Sequence, residues 1–129
     1  MELVNGVDAV EIDRIEKSSR KGGFVERFFS EEEQQYFREK KMAPQTIAGH
    51  FAAKEAFSKA MGTGLLGFAL REVSVRHDGR GKPELHLTGA AAALAEGWRF
   101  SLSITHTQNT AIAFVTAWRE GKEGAPCAL

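Results

Sequence analysis

Residues 46–61 read TIAGHFAAKEAFSKAM. The run is rich in strong helix formers and predicts an α-helix, which Gly62-Thr63-Gly64 ends. At about 100° per residue, Ile47, Ala48, Phe51, Ala52 and Met61 define one apolar arc. Glu55 falls inside that arc, and Lys54 falls on its edge, between Met61 and Ile47. A carboxylate on a buried face is costly unless it meets a cation, a metal or hydrogen-bond donors. Glu55 is therefore either half of an ion pair, with Lys54 or an arginine, or a ligand.

Upstream, Ser30-Glu31-Glu32-Glu33 forms a capping box that opens a helix running to about Lys41, and Pro44 punctuates. Residues 3–12 (LVNGVDAVEI) read as a strand. Asp8 sits inside it, sharing a face with Gly6 and Val10. An acid in that position either protects a sheet edge or serves as a ligand. DRIEKSSRK has weaker helical character and ends at Gly22-Gly23. Downstream, residues 69–77 alternate as a strand, Asp78 to Gly81 turn, and Glu84 to Leu87 return. Thr88 can cap a short alanine-rich helix that Gly97 terminates. RFSLSITHTQNTAIAFVTAW reads as a hairpin of two buried strands around His106 to Asn109. The mixture predicts an α+β fold, a single domain over residues 1–119, with a tail at 120–129 expected to be disordered.

The chain has 129 residues, 43% hydrophobic and 26% charged, with 17 basic against 17 acidic side chains. A net charge of zero argues against bulk nucleic-acid binding and leaves any steering to local clusters. One such cluster carries Arg14, Lys17, Arg20, Lys21 and Arg27 against Glu16 and Glu26. It is either a solvated helix face or a dock for an acidic partner. The single cysteine, Cys127, excludes an intrachain disulfide and a thiolate metal cluster. No signal peptide opens the chain and no stretch reaches membrane-spanning length, so the expectation is a cytoplasmic protein without a membrane partner. GTGLLG at 62–67 matches a dinucleotide fingerprint in letters only, because a helix precedes it and a strand follows.

Two carboxylates on separate elements, without histidine or cysteine companions, suit a hard cation that completes its shell with water and phosphate. Several motifs then converge. Gly6-Val7-Asp8 near the start and Phe51-Ala52-Ala53-Lys54-Glu55-Ala56-Phe57-Ser58-Lys59 in the helix occur in order. Gly62-Thr63-Gly64, Gly81-Lys82-Pro83 and Ser103-Ile104-Thr105-His106-Thr107 follow. Over residues 4–118 the chain resembles the bacterial holo-acyl-carrier-protein synthases, the small members of the 4'-phosphopantetheinyl transferase superfamily.

The resemblance implies a transferase that moves the phosphopantetheine arm of coenzyme A onto a serine of an acyl carrier protein. Asp8 and Glu55 would hold Mg²⁺, with Mn²⁺ a possible substitute, and together with Lys59 would form the catalytic set. His50, Lys54, Lys59, Gly62, Thr63, Gly64, Pro83, His106 and Thr107 would contact coenzyme A. The carrier protein would meet Arg14, Ile15, Arg20, Lys21, Phe24 and Arg27. The resemblance also implies a homotrimer with active sites at subunit interfaces, Pro83 and His106 coming from a neighbouring chain. One departure stands out: the family often has arginine before the aromatic of the helix motif, where this chain has His50, so coenzyme binding is expected to be weaker or more pH-dependent. Two rival readings are a non-catalytic subunit that binds acidic proteins and a nucleotide-binding regulator using the glycine loop.

Overall fold

The computed structural model describes residues 1–121. Strands β1 (Glu2–Glu11), β4 (Arg99–His106) and β5 (Thr110–Arg119) form an antiparallel sheet in the order β1-β5-β4, and β2 (Val73–His77) pairs with β3 (Pro83–Leu87) in a second, two-stranded sheet. The helices are α1 (Ile12–Ser19), α2 (Phe24–Phe28), α3 (Glu31–Glu39), α4 (Pro44–Met61) and α5 (Gly89–Leu94). The fold class is α+β, as expected.

Helix α4 is the centre of the molecule. It lies on the inner face of the large sheet, and Ile47 through Lys54 are all buried. Small residues make that approach possible. Ala111, Ala113, Val115 and Ala117 of β5 point inward, opposite Ala48, Ala52, Ala53 and Ala56 in the same core. Gly6 of β1 crosses so near that a Cβ there would overlap the Ala56 carbonyl oxygen and lie 2.6 Å from the Ala60 nitrogen. Only glycine fits this crossing, which sets β1 directly over α4.

Register carries Asp8 to the same side. Gly6 pairs with Val115, Asp8 with Ala113 and Val10 with Ala111, so Asp8 points toward α4 between two buried neighbours. The opposite face of the sheet bears exposed Leu3, Val7 and Phe114.

Local details depart from the sequence reading. Helix α4 starts at Pro44 rather than Thr46; proline in the first turn is tolerated because its missing N–H would have no partner there. Residues 70–72 form a 3₁₀ turn before β2, shortening the strand expected over 69–77. Helix α2 was not anticipated; five residues are too short for a clear periodicity. Thr88 makes no side-chain cap. Glu72 does that work from the neighbouring turn, accepting the Ala90 N–H at 2.9 Å and the Ala69 N–H at 2.8 Å. The capping box at Ser30 and Glu33 forms as read. Most of the tail expected to be disordered, residues 122–129, lies outside the described residues.

Candidate active site at the seam of the first strand and the central helix

Asp8, Glu55 and Lys59 come together where β1 crosses α4. Lys59 lies one helical turn after Glu55, and its Nζ donates to Asp8 Oδ1 at 3.0 Å and to the Val7 carbonyl at 3.1 Å. Burial pushes the Glu55 carboxyl above its ordinary range, and the charge of Asp8 pushes it the same way. Lys59 and Arg14 oppose that shift, which places Arg14 of α1 close to the same group. Lys59 and Arg14 share the site with two half-buried acids that repel each other. Their oxygen donors suit a hard cation that keeps open positions for water and phosphate oxygens. Glu55 does not pair with Lys54.

A second set of residues meets toward the N-terminal end of α4. Pro83, His106 and His50 line a cleft of about 200 Å³ together with His77, Gly81 and Ile104. His106 is exposed; its Nδ1 donates to the Thr107 carbonyl at 3.1 Å, which leaves Nε2 facing outward. Thr107 Oγ1 accepts the N–H groups of Asn109 and Thr110, so this hydroxyl shapes the hairpin. Gly62, Thr63 and Gly64 end α4 beyond Lys59 and do not line the cleft. Thr46 at the cleft and Gly62 are about 24 Å apart along the axis of α4, at 1.5 Å per residue.

Two expected coenzyme ligands turn inward instead. Lys54 is fully buried, and its Nζ donates to Glu33 Oε1 at 2.5 Å, the Val73 carbonyl at 2.6 Å and the Leu70 carbonyl at 3.1 Å. An ammonium has three donors, and all three are used. His50 is also buried; its Nδ1 donates to Glu33 Oε2 at 2.9 Å, while Nε2 meets His77 Nε2 at 2.9 Å. Neither side chain has a polar atom left for a phosphate. Both are corrected to structural roles around Glu33, and His50 touches the cleft only as part of its wall. Burial pushes the Glu33 carboxyl upward, but the hydrogen bond from His50 and the charge of Lys54 outweigh it and hold the group below the ordinary carboxylate range.

The basic segment divides in the same way. Arg14, Arg20, Lys21 and Arg27 are exposed, with Arg20 reaching Glu16. Ile15 is in the core, 2% exposed, which overturns its expected contact with a partner: α1 uses it to pack against α4. Phe24 is half-buried, with its ring against Phe28, Phe29 and Phe51. Sequence reasoning gave Glu33 a local role and His77 none. The capping box was the only signal for Glu33, and it reports one carboxylate oxygen, not the other. Among the described residues no helix is long and apolar enough to cross a membrane.

Comparisons with known proteins identify the family. A family model described as the 4'-phosphopantetheinyl transferase superfamily matches residues 5–115. The holo-[acyl-carrier-protein] synthase of Clostridium novyi is 44% identical over 84% of this chain and 82% of its own length. The crystal structure of the synthase from Neisseria meningitidis superposes with a TM-score of 0.82 at 35% identity, covering 90% of this chain and 98% of the other. The Bacillus anthracis synthase, solved in complex with CoA (3',5'-ADP), superposes with a TM-score of 0.75 at 36% identity, covering 88% of this chain and 94% of the other. By sequence and fold, the chain belongs to the 4'-phosphopantetheinyl transferase superfamily, among the holo-[acyl-carrier-protein] synthases.

Proposed function

We propose that this protein transfers 4'-phosphopantetheine from coenzyme A to a serine of an acyl carrier protein, with Mg²⁺ as cofactor and adenosine 3',5'-bisphosphate as the leaving product. The observation that carries the reading is the convergence of Asp8, Glu55 and Lys59 at the β1–α4 seam. Asp8 and Glu55 are the residues that would hold the ion, with Mn²⁺ an acceptable substitute. Bound there, the cation would neutralise charge on the diphosphate of the coenzyme. Lys59 adds a point charge on a flexible stem beside the same oxygens. The serine oxygen forms the new bond to the β-phosphorus as the bond to the bridging oxygen, which departs with the bisphosphate, breaks, and the serine's proton passes to water. Lys59 and Arg14 flank the acids and offset charge that builds on the phosphate oxygens.

Arg14 links this chemistry to the partner. It belongs to the exposed basic segment and also acts on Glu55, so an acidic helix docked along Arg14, Arg20, Lys21 and Arg27 would bring its serine to the carboxylates. Phe24 supplies half-buried apolar area beside them.

The coenzyme groups fit a site shared between chains. Pro83 and His106 stand toward the β4 edge of the large sheet, and Asp8 stands on β1 at the other edge. Two strand spacings, about 10 Å, lie between them. A homotrimer in which one chain gives Asp8, Glu55 and Lys59, with the 62–64 loop beside them, and its neighbour gives Pro83, His106 and Thr107 reunites the set. The exposed apolar face of the sheet supplies a surface for that association.

Incubating the protein with an apo carrier protein and coenzyme A tests the reading by mass spectrometry. The carrier should gain the mass of one phosphopantetheine group with magnesium and nothing with a chelator. Asp8→Ala and Glu55→Ala should each slow transfer about a hundredfold or more, the scale of lost Lewis-acid stabilisation, while the fold persists. Full magnesium-dependent activity in both variants would remove the proposed metal site, and binding of the carrier without modification would favour the non-catalytic reading.

A further inference from the structure

Lys41 and Met42, in the turn between α3 and α4, are the only non-glycine residues at positive φ among the described residues, at 56° and 55°. The turn ends α3. The Met42 N–H donates to the Phe37 carbonyl at 2.7 Å, and the Lys41 N–H to the Arg38 carbonyl at 3.0 Å. That backbone shape closes the helix, and glycine is the residue that adopts it without strain. The closing bonds are all main-chain, so they ask for no side chain. The sequence nevertheless puts a lysine and a methionine there, and the methionine is 42% exposed. Strain held at an exposed side chain points to a use for that side chain.

Met42 stands on a groove of about 330 Å³ between the α1–α2 turn and the end of α3. Arg20, Lys21 and Arg38 line the groove against one acid, Glu26. Arg20 pairs with Glu16, while Arg38 reaches the neutral Gln35. A flexible thioether beside cationic side chains suits an amphipathic, acidic surface.

We propose that Met42 and Arg38 form the far end of the carrier dock: the acidic helix that brings the serine to Asp8 and Glu55 lays its other end in this groove, an apolar side chain against Met42 and a carboxylate against Arg38 and Lys21. The proposal rests on the carrier reading of the basic segment and extends it from α1 to α3. The spans agree. Arg14 acts on Glu55 near the start of α1, and Arg20 lines the groove with Met42 just past its end. On α4 the corresponding interval runs from Glu55 back to Pro44, about 16 Å at 1.5 Å per residue. A helix of about three to four turns covers that distance.

Steady-state transfer to an apo acyl carrier protein, with magnesium and coenzyme A, tests the proposal. Met42→Gly removes the side chain and the strain together. Its Tm should equal or exceed that of the wild type, while the KM for the carrier rises about fivefold or more and the KM for coenzyme A stays unchanged. Arg38→Glu should raise the carrier KM about tenfold at low salt and less at high salt. A carrier with one acid at the far end of its helix changed to lysine should recover part of that loss. An unchanged carrier KM in Met42→Gly would overturn the inference. So would a lower Tm with both KM values raised, which would make Met42 a structural residue, or a changed number of chains per particle by light scattering, which would give the groove to a second copy. Arg20→Glu separates this from the wider reading. If it raises the carrier KM and Met42→Gly does not, the basic dock stands without its far end; if neither does, the carrier dock falls and the inference with it.

Discussion

Lys54 donates all three of its protons to groups inside the protein, and Glu33 accepts from Lys54, His50 and the Ser30 backbone. Such a cluster is stable only when complete. Lys54→Ala should therefore cost about 3–5 kcal/mol in chemical denaturation, because it leaves the Glu33 carboxylate buried without its cation. Lys59→Ala, at an exposed side chain, should cost far less stability and mainly lower transfer. The depressed Glu33 carboxyl also fixes a sign. Its contribution is present above the ordinary carboxylate value and is lost as pH falls through the lower folded value. Acid unfolding of the wild type should then be steeper than that of Glu33→Gln, itself less stable at neutral pH. A parallel loss of stability in both proteins on acidification would show that Glu33 is not the linked group. The sequence exposes Lys54 and Glu55 equally, as adjacent charges on a mostly apolar helix. Only the tertiary neighbours separate them: Lys54 faces Glu33, whereas Glu55 faces Asp8.

The elements were easier to read than their contacts. Strand alternation, the Ser30 capping box and the alanine-rich run fixed three of the main pieces, since each rests on local chemistry. Helix α2 and the 3₁₀ turn escaped because they are short, and the Glu72 cap escaped because its partner lies 18 residues away. Gly6 shows what an element-level contact demands. As a strand residue it looks like a weak point, yet β1 can cross α4 only without a Cβ there. Gly6→Ala should destabilise the fold by about 1–3 kcal/mol, the usual cost of overpacking. It should also lift β1 from α4 and carry Asp8 away from Glu55. The prediction is a loss of transfer larger than the stability change explains, measured at a temperature where the variant is folded. Equal activity per folded molecule would mean that the crossing distance does not set the site.

At the scale of the whole molecule, the parts of the proposed site stand at opposite edges of the large sheet. Asp8, Glu55 and Lys59 gather at the β1 side of the sheet, while Pro83 and His106 line a cleft toward its β4 side. Leu3, Val7 and Phe114 leave the face between them apolar, at 45%, 51% and 42% exposed. Val7 and Phe114 are cross-strand partners, so they form one continuous patch. A cyclic trimer that buries this patch would place the β1 edge of one chain beside the β4 edge of the next. Light scattering should accordingly give three chains, and Val7→Glu with Phe114→Glu should give one chain that has lost transfer. The stronger test is complementation. Asp8→Ala and His106→Ala chains, each impaired alone, should regain activity when unfolded and refolded together. Recovery should approach about one quarter of the wild-type rate, the chance that adjacent subunits pair in the productive order. If both residues serve a site within a single chain, every site in the mixture carries one defect, and no recovery is possible at any mixing ratio.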